Sequence, residues 1–221
     1  VVPLNSWGQR EELLYGLTDS TPKICFCDEQ RLAHVANDLA ALGIRAIVTD
    51  APAGADGDQV VRYDDLVAAG SGAPAASTVP APDDDAMILY TSGTTSRAKG
   101  VVSSHRAICQ ALASFEYSGA VAGMTSPESV KAIMALGFAP TVLTAVPLFH
   151  ISGLLAHFLC SLRTGRRMVM MYKWNVEEAL RLIEKERITA IAASTTMVAQ
   201  LLGSPAFAST DTRSLTAVGL G

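Results

Sequence analysis

Residues 88–102 read ILYTSGTTSRAKGVV, the most informative stretch of the chain. It begins as a buried strand, passes through hydroxyl and glycine residues at 91–96, and continues through Lys99 to a second strand at 101–102. Such a run suits a polyphosphate, because glycine lets the backbone approach closely, hydroxyls and amides donate hydrogen bonds, and lysine neutralises charge. The segment predicts a phosphate-binding loop between two strands, with a Ser/Thr-rich surface turn as the alternative.

This loop differs from the P-loop of kinases and GTPases. The P-loop motif places four residues between two glycines, followed by Lys and then Ser or Thr. Here Ala98 stands where the second glycine is required, and Gly100 follows Lys99. The next residues favour a strand, whereas a P-loop leads into a helix. The sequence therefore predicts a phosphate loop of another kind.

Strand-like and helix-like segments alternate on both sides of the loop. Before it, strands are predicted at 23–27 and 44–49, joined by a helix at 30–42 that ends at Gly43. After it, the predicted elements are helices at 106–115, 153–162 and 197–202, a helix capped by Asn175, and strands at 141–147, 168–171, 190–193 and 215–220. Repeated strand–helix–strand units predict an α/β fold of mainly parallel sheets flanked by helices.

The composition is that of a globular protein. Of 221 residues, 49% are hydrophobic and 17% are charged, so burial can offset the entropy of ordering the chain. The net charge of −4 argues against nucleic-acid binding, which normally requires a basic excess. The apolar stretches are shorter than the roughly 18–20 residues of a membrane span, so none is expected. The opening residues VVPLNSW lack the features of a signal peptide, and we expect a cytoplasmic protein.

Two side-chain clusters invite a metal-site interpretation that the spacing does not favour. Cys25-x-Cys27 places two thiols on one face of a strand, but it lacks the two-residue spacer and second pair of a zinc site. Asp83-Asp84-Asp85 has no partner ligand nearby in sequence. We predict that the cysteines pack in the core and that the aspartates form a solvated turn.

The loop resembles the phosphate-binding loop of the adenylate-forming superfamily, which includes acyl- and aryl-CoA synthetases, luciferases and adenylation domains of peptide synthetases. That pattern is Tyr-Thr-Ser-Gly-Thr-Thr-Gly-x-Pro-Lys-Gly-Val, and this chain matches it at 90–95 and 99–101. Ser96 replaces a glycine and Ala98 replaces the proline. Neither change removes a hydrogen-bond donor of the loop side chains, so phosphate binding is still expected.

Other segments resemble the same family in the same order along the chain. They are Pro3-Leu4-Asn5, the stretch 146–154 that contains Pro-Leu-Phe-His-x-x-Gly, the stretch 188–197, and the stretch 214–221 that leads toward the family's Gly-Gly adenosine loop. In the third of these, Thr195 stands where proline is usual. The resemblance thus covers nearly the whole chain.

His150 lies after a predicted strand and before a predicted helix. The matching family histidine lies against the acyl carboxylate and the nucleotide phosphates. Domains that activate amino acids usually carry Phe-Asp at this place, so Phe149-His150 implies an acid without an α-amino group. We predict a helix-start role for His105, and structural positions for His34 and His157.

The resemblance implies ATP-dependent activation of a fatty or aryl carboxylic acid to an acyl-adenylate and then to an acyl-CoA thioester, with Mg²⁺ and coenzyme A as partners. It implies phosphate binding by Thr91, Ser92, Gly93, Thr94, Thr95, Ser96, Lys99 and Gly221. Lys99 and His150 are the catalytic candidates, and Thr94 is the predicted metal ligand. Two alternatives stay open, an acyl-AMP ligase that delivers to a carrier protein and a degenerate, non-catalytic nucleotide-binding domain. A homodimer is also left open.

Further site residues of the family would follow Gly221. They include a glutamate that binds Mg²⁺, a ribose-binding aspartate, an arginine and the lysine of a small C-terminal domain. We therefore expect residues 1–221 to be part of the large N-terminal domain, with a linker-like loop at about 70–85 and the C-terminal domain absent. On that expectation these residues alone do not complete catalysis.

Overall fold

The structure is a computed structural model that describes residues 1–52, 57–70, 72, 74, 77–91 and 97–220. The chain divides into two compact units, Val1–Val102 and Ser103–Gly221. Elements beginning in the first unit are α1 (Arg10–Ser20), β1 (Ile24–Cys27), α2 (Glu29–Val35), a 3₁₀ turn (Ala36–Asp38), α3 (Leu39–Leu42), β2 (Arg45–Val48), β3 (Val60–Arg62), α4 (Tyr63–Ala69), β4 (Asp85–Thr91) and β5 (Lys99–Ser104).

The first unit contains a parallel sheet in the order β1-β2-β3. Its apolar core joins α1 to this sheet through Leu13, Leu17, Leu39, Ile44 and Val48, all of which are buried. Strands β4 and β5 pair separately as a two-stranded sheet, and the predicted phosphate loop connects them. The strand–loop–strand prediction is therefore confirmed at the ends of the loop.

The prediction of one continuous helix over 30–42 is wrong, because the segment is interrupted in its middle. The chain forms α2, the 3₁₀ turn and α3 instead, and α3 ends at Gly43 with φ 65° as expected for a left-handed C-cap. The interruption falls at Asn37-Asp38, residue types that favour turns over helix interiors. The Asp38 carboxylate also accepts two hydrogen bonds from Arg10, at 2.6 and 3.1 Å, which favours this break.

The second unit contains a four-stranded parallel sheet in the order β7-β6-β8-β9. Its elements are α5 (His105–Thr125), α6 (Pro127–Ala135), β6 (Thr141–Thr144), a π-helix (Ser152–Leu159), α7 (Cys160–Thr164), β7 (Arg167–Met170), α8 (Val176–Glu186), β8 (Ala190–Ala193), α9 (Thr195–Gly203), a 3₁₀ helix (Pro205–Ser209) and β9 (Ala217–Leu220). The two parallel sheets with their helices confirm the predicted α/β class.

The core of the second unit lies between its sheet and helices α8 and α9. Leu143 and Ile191 of the sheet pack with Ile183 of α8 and Leu201 of α9, and all four are at most 2% exposed. Because parallel strands are buried on both faces, they appear in sequence as continuous apolar runs. This explains why β6 and β8 were predictable.

Two helical predictions in the second unit need correction. The segment predicted as a helix at 153–162 forms a π-helix over Ser152–Leu159, which is followed by α7. π-helices are rare in proteins, and those that occur are often found at functional sites. The helix predicted at 106–115 continues to Thr125, and α6 follows after one residue. His105 is the first residue of α5, which confirms its helix-start position.

His157 gives the second unit a predicted pH dependence. It is buried in the π-helix, and its Nδ1 has no hydrogen-bond partner in the described part of the chain. Burial, and then the charge of Arg166, lower the pKa of His157. The unfolded chain binds this proton below about pH 6.5 and the folded chain resists it, so stability is lost as the pH falls below that value.

We therefore expect the unfolding free energy to fall from pH 7.5 to about pH 5 more steeply in the native chain than in His157→Phe. Denaturant titrations at both pH values measure the difference. Since the other titrating groups are common to both proteins, equal pH slopes would contradict a neutral, buried His157.

Candidate functional site

The two ends of the predicted phosphate loop lie next to each other. β4 ends at Thr91 and β5 begins at Lys99, and the Thr91 hydroxyl donates a 3.4 Å hydrogen bond to the Lys99 carbonyl. Both residues are exposed, so the Lys99 ammonium is accessible to solvent. The structure thus brings together the two described members of the predicted phosphate-binding set, Thr91 and Lys99.

The rest of that set stays a prediction. Ser92, Gly93, Thr94, Thr95, Ser96 and Gly221 lie outside the described residues. Within the described ranges, no group of three or more His, Cys, Asp or Glu side chains is placed to hold a metal ion. No helix among the described residues is long and apolar enough to cross a membrane.

Helix α1 supports the loop end that leads into Lys99. The Tyr15 hydroxyl donates a 2.9 Å hydrogen bond to the carbonyl of Ala98, and the Arg97 guanidinium lies 5.7 Å from the centre of the Tyr15 ring. Tyr15 also contacts Tyr90 edge to face, at 6.2 Å between ring centres. This support is not predictable from the sequence, because no local pattern relates residue 15 to residues 90–98.

The other end of the loop is held by Tyr90. Its hydroxyl donates a 2.6 Å hydrogen bond to the Asp19 carboxylate of α1. Burial, followed by this bond and the Asp19 charge, raises the pKa of Tyr90 to about 12. Tyr90 therefore remains a protonated donor at neutral pH. The tyrosine of the family pattern here joins the strand before the loop to α1.

Glycine at position 100 allows β5 to pack closely against β4. A Cβ atom at Gly100 would lie 2.8 Å from the Cγ2 atom of Ile88 on β4. Since real Cβ contacts are essentially never that short, a side chain at Gly100 would force the Ile88 side chain or the strands themselves to shift. The glycine after Lys99 thus keeps the two strands that carry the loop in close contact.

We predict that Tyr15→Phe lowers the unfolding free energy by about 0.5–1.5 kcal/mol, the net contribution of one hydrogen bond. Tyr117→Phe is the matched control, because Tyr117 is 72% exposed and surface changes usually stay within about 0.5 kcal/mol. Denaturant titration measures both variants. Equal effects from the two substitutions would mean that the Tyr15 hydroxyl does not stabilise the loop end.

His150 lies beyond the carboxyl end of β6, a strand with parallel neighbours on both sides. Its backbone N–H donates to the Pro147 carbonyl at 3.2 Å, and its own carbonyl accepts from the Leu154 N–H at 3.0 Å. The imidazole is exposed and stacks at a tilt on Phe149, with 4.5 Å between ring centres. Ligands of open α/β sheets bind outside the carboxyl ends of the strands.

The turn that carries His150 packs directly on Gly153. A Cβ atom at Gly153 would lie 2.3 Å from the carbonyl oxygen of Pro147 and 3.0 Å from that of Val146. These are backbone atoms, so the clash could be relieved only by moving the turn itself. The spacing Pro-Leu-Phe-His-x-x-Gly therefore has a steric basis. Because glycine has no Cβ atom, the backbone of the turn that carries His150 can pack directly against it.

The two cysteines lie half-buried at the edge of the core, and the aspartate cluster is divided between a turn and the start of β4, where Asp85 is the first residue. Cys25 and Cys27 pack against the core of the first unit. Asp84 lies in a turn before β4, where its carboxylate accepts a 2.7 Å hydrogen bond from the Ala81 N–H.

Comparison with known proteins places the whole chain in one family. The model of the AMP-binding enzyme family matches residues 1–221. A methyl-dioxo-octahydro-indenyl-propanoyl:CoA ligase of Mycobacterium tuberculosis is 34% identical over 182 residues, which are 80% of this chain and 32% of that protein. The 4-coumarate–CoA ligase-like protein 8 of Arabidopsis thaliana is 30% identical over 193 residues, 86% of this chain and 31% of that protein.

Solved structures agree with these relatives. The crystal structure of ATP-bound MatB from Rhodopseudomonas palustris has a TM-score of 0.68 and 28% identity, covering 98% of this chain and 38% of MatB. The chain spans about a third of the length of the curated relatives it matches. The likeness therefore extends over nearly all of this chain but over only part of each relative.

Proposed function

Since the chain belongs to the AMP-binding enzyme family, we propose that it contributes to the ATP-dependent activation of a carboxylic acid. The observation that supports this most is the loop between β4 and β5, with its two ends closed by Thr91 and Lys99. An exposed ammonium group at the end of a glycine and hydroxyl-rich loop is suited to bind the outer phosphates of a nucleotide.

The proposed reaction has two steps. A carboxylate oxygen attacks the α-phosphorus of ATP, the bond to the β-phosphate bridging oxygen breaks, and acyl-adenylate and pyrophosphate form. A thiolate then attacks the acyl carbonyl carbon, and AMP leaves. Lys99 would donate hydrogen bonds to the β- and γ-phosphates and stabilise the charge that develops on pyrophosphate. His150 would lie beside the acyl carboxylate and orient it.

We propose that Mg²⁺ binds together with the nucleotide at this loop. Protein sites for Mg²⁺ commonly combine one or two protein oxygens with substrate phosphates. We propose the Thr94 hydroxyl as the ligand from this chain, where Mg²⁺ would reduce the charge of the triphosphate.

We propose a fatty or aryl acid as the substrate and coenzyme A as the acceptor. His150 stands where enzymes for amino acids carry an aspartate, which leaves no carboxylate at that position to pair with an α-ammonium group. The two relatives reported above are named CoA ligases, which favours coenzyme A over a carrier protein. Delivery of the adenylate to a carrier protein remains the second candidate.

Exchange of radiolabelled pyrophosphate into ATP tests the proposal directly. The whole protein is incubated with ATP and a panel of fatty and aryl acids, and we expect exchange with at least one class of acid. Thioester formation with coenzyme A then identifies the acceptor. Exchange without a CoA thioester would favour a carrier protein, and no exchange with any acid would support a degenerate nucleotide-binding domain.

Restoring the family residues at the two loop departures tests the degenerate alternative separately. The double variant Ser96→Gly, Ala98→Pro should change the exchange rate by less than about tenfold, since such backbone effects are typically about 0.4–1 kcal/mol. Proline retains a carbonyl at position 98, so the hydrogen bond from Tyr15 can persist. Activity found only in the double variant would contradict the proposed function of the native loop.

A further inference from the structure

Arg97 is a positively charged residue at the end of the phosphate loop to which the family pattern assigns no role. It occupies the unspecified position x of that pattern, and its side chain is exposed. Lys99 follows two residues later, so the Cα atoms of Arg97 and Lys99 are at most about 7 Å apart. The end of the loop therefore carries two neighbouring positive charges in a chain whose net charge is −4.

Neither charge is neutralised by a carboxylate in the ranges that the structure describes. The ion pairs formed there involve other arginines and Lys185. Asp19, an acidic residue of α1 close to the loop, instead accepts the Tyr90 hydroxyl at 2.6 Å. Two neighbouring cations without carboxylate partners create a positive local potential, which favours the binding of a polyanion.

Tyr15 of α1 holds both the side chain of Arg97 and the backbone that follows it. The Arg97 guanidinium lies over the Tyr15 ring at 5.7 Å from its centre, within the roughly 6 Å of a cation–π contact. The Tyr15 hydroxyl donates a 2.9 Å hydrogen bond to the Ala98 carbonyl. Tyr15 is itself half-buried and contacts Tyr90 edge to face, so the first unit provides a packed support for Arg97.

A guanidinium held by an aromatic ring still has hydrogen-bond donors to offer a ligand. Its five N–H groups lie in the plane of the group, whereas the contact with an aromatic ring uses its face. The edge of the guanidinium can therefore donate two parallel hydrogen bonds to the oxygens of one phosphate. Because Tyr15 already orders the Arg97 side chain, less conformational entropy is lost when the phosphate binds.

We propose that Arg97 binds the polyphosphate of ATP together with Lys99, and that Tyr15 is the positioning residue that holds Arg97 for this contact. The inference rests on the proposed function and adds a second cation and its aromatic support to the nucleotide site. The Lys99 ammonium acts as a point charge, whereas the planar Arg97 group binds two oxygens of one phosphate. AMP lacks the outer phosphates and gains nothing from Arg97.

Calorimetric binding of ATP and AMP to the whole protein tests the role of Arg97. We expect Arg97→Gln to weaken ATP binding by about 10-fold or more, the effect of losing a charge-assisted contact, and to leave AMP binding nearly unchanged. Arg97→Lys keeps the charge without the planar fork, so it should retain part of the ATP affinity. Arg45→Gln is the matched control, because Arg45 is an exposed arginine on β2 of the same unit.

Substitutions at Tyr15 separate positioning from a general loss of stability. Tyr15→Phe keeps the ring that contacts Arg97, whereas Tyr15→Leu removes it. We expect Tyr15→Leu to bind ATP about 2- to 5-fold more weakly than Tyr15→Phe, the effect of losing an exposed cation–π contact. In the Arg97→Gln background this difference should disappear, because the ring then has no cation to hold. Thermal unfolding verifies that each variant is folded at the assay temperature.

The outcomes distinguish this inference from the proposed function. Native ATP affinity in Arg97→Gln, or equal losses of ATP and AMP affinity, would overturn the role of Arg97 and leave the proposed function unaffected. A difference between the two Tyr15 variants that persists in the Arg97→Gln background would refute the positioning role of Tyr15. Conversely, ATP binding that depends on Arg97 without pyrophosphate exchange for any acid would support the inference and contradict the proposed catalytic activity.

Discussion

Replacing Lys99 with alanine is expected to weaken ATP binding by about 10- to 150-fold, the effect of losing a charge-assisted contact of about 1.5–3 kcal/mol. AMP binding should hardly change, because AMP lacks the outer phosphates that the Lys99 ammonium is proposed to face. The pyrophosphate exchange rate should fall with ATP affinity. Binding of ATP and AMP to the variant and the native protein, measured by calorimetry, provides the comparison.

Lys131→Ala is the matched control for Lys99→Ala. Lys131 is an exposed lysine on α6, so its replacement removes the same charge from another part of the surface. Lys99→Arg keeps the positive charge but replaces the compact ammonium group with a planar guanidinium. This variant should retain more ATP affinity than Lys99→Ala. Equal losses of ATP and AMP affinity in Lys99→Ala would refute the assignment of Lys99 to the outer phosphates.

Replacing Gly153 with alanine is expected to destabilise the second unit by about 1–3 kcal/mol, as other insertions into packed positions do. The added Cβ would lie 2.3 Å from the Pro147 carbonyl oxygen, so the turn before His150 must move. A shift of about 1 Å at a catalytic group can lower a rate by about 100-fold. We therefore expect lower exchange activity as well as lower stability.

Gly119→Ala provides the opposite case within the same unit. Gly119 is exposed in α5, and a Cβ atom there would meet nothing within 4 Å. Alanine favours the helix over glycine, so this variant should be more stable by about 0.4–1 kcal/mol. Denaturant titration and exchange assays of both variants test the steric argument. A Gly153→Ala protein as stable and active as Gly119→Ala would disprove the role of Gly153 in positioning His150.

Several elements escaped prediction. α4 and α6 have no buried residues in the structure, so the apolar side chains of α6, such as Val130 and Ile133, are exposed rather than packed in a core. β3 is only Val60–Arg62, and it is held by pairing with β2 rather than by its own pattern. The π-helix resembles an ordinary helix in sequence, since apolar residues at similar spacing favour either form.

The sequence was sufficient for the α/β class, the strands on both sides of the phosphate loop and the position of His150 after a strand, whereas the central place of that strand in its sheet is known only from the structure. These features depend on local patterns, namely buried apolar runs, glycine positions and ordered motifs. Folding in three dimensions was needed to show that Tyr15 and Asp19 of α1 hold the loop ends and that Gly153 lies against the backbone of the turn that carries His150. Such contacts depend on packing geometry between segments, which no local pattern in the sequence records.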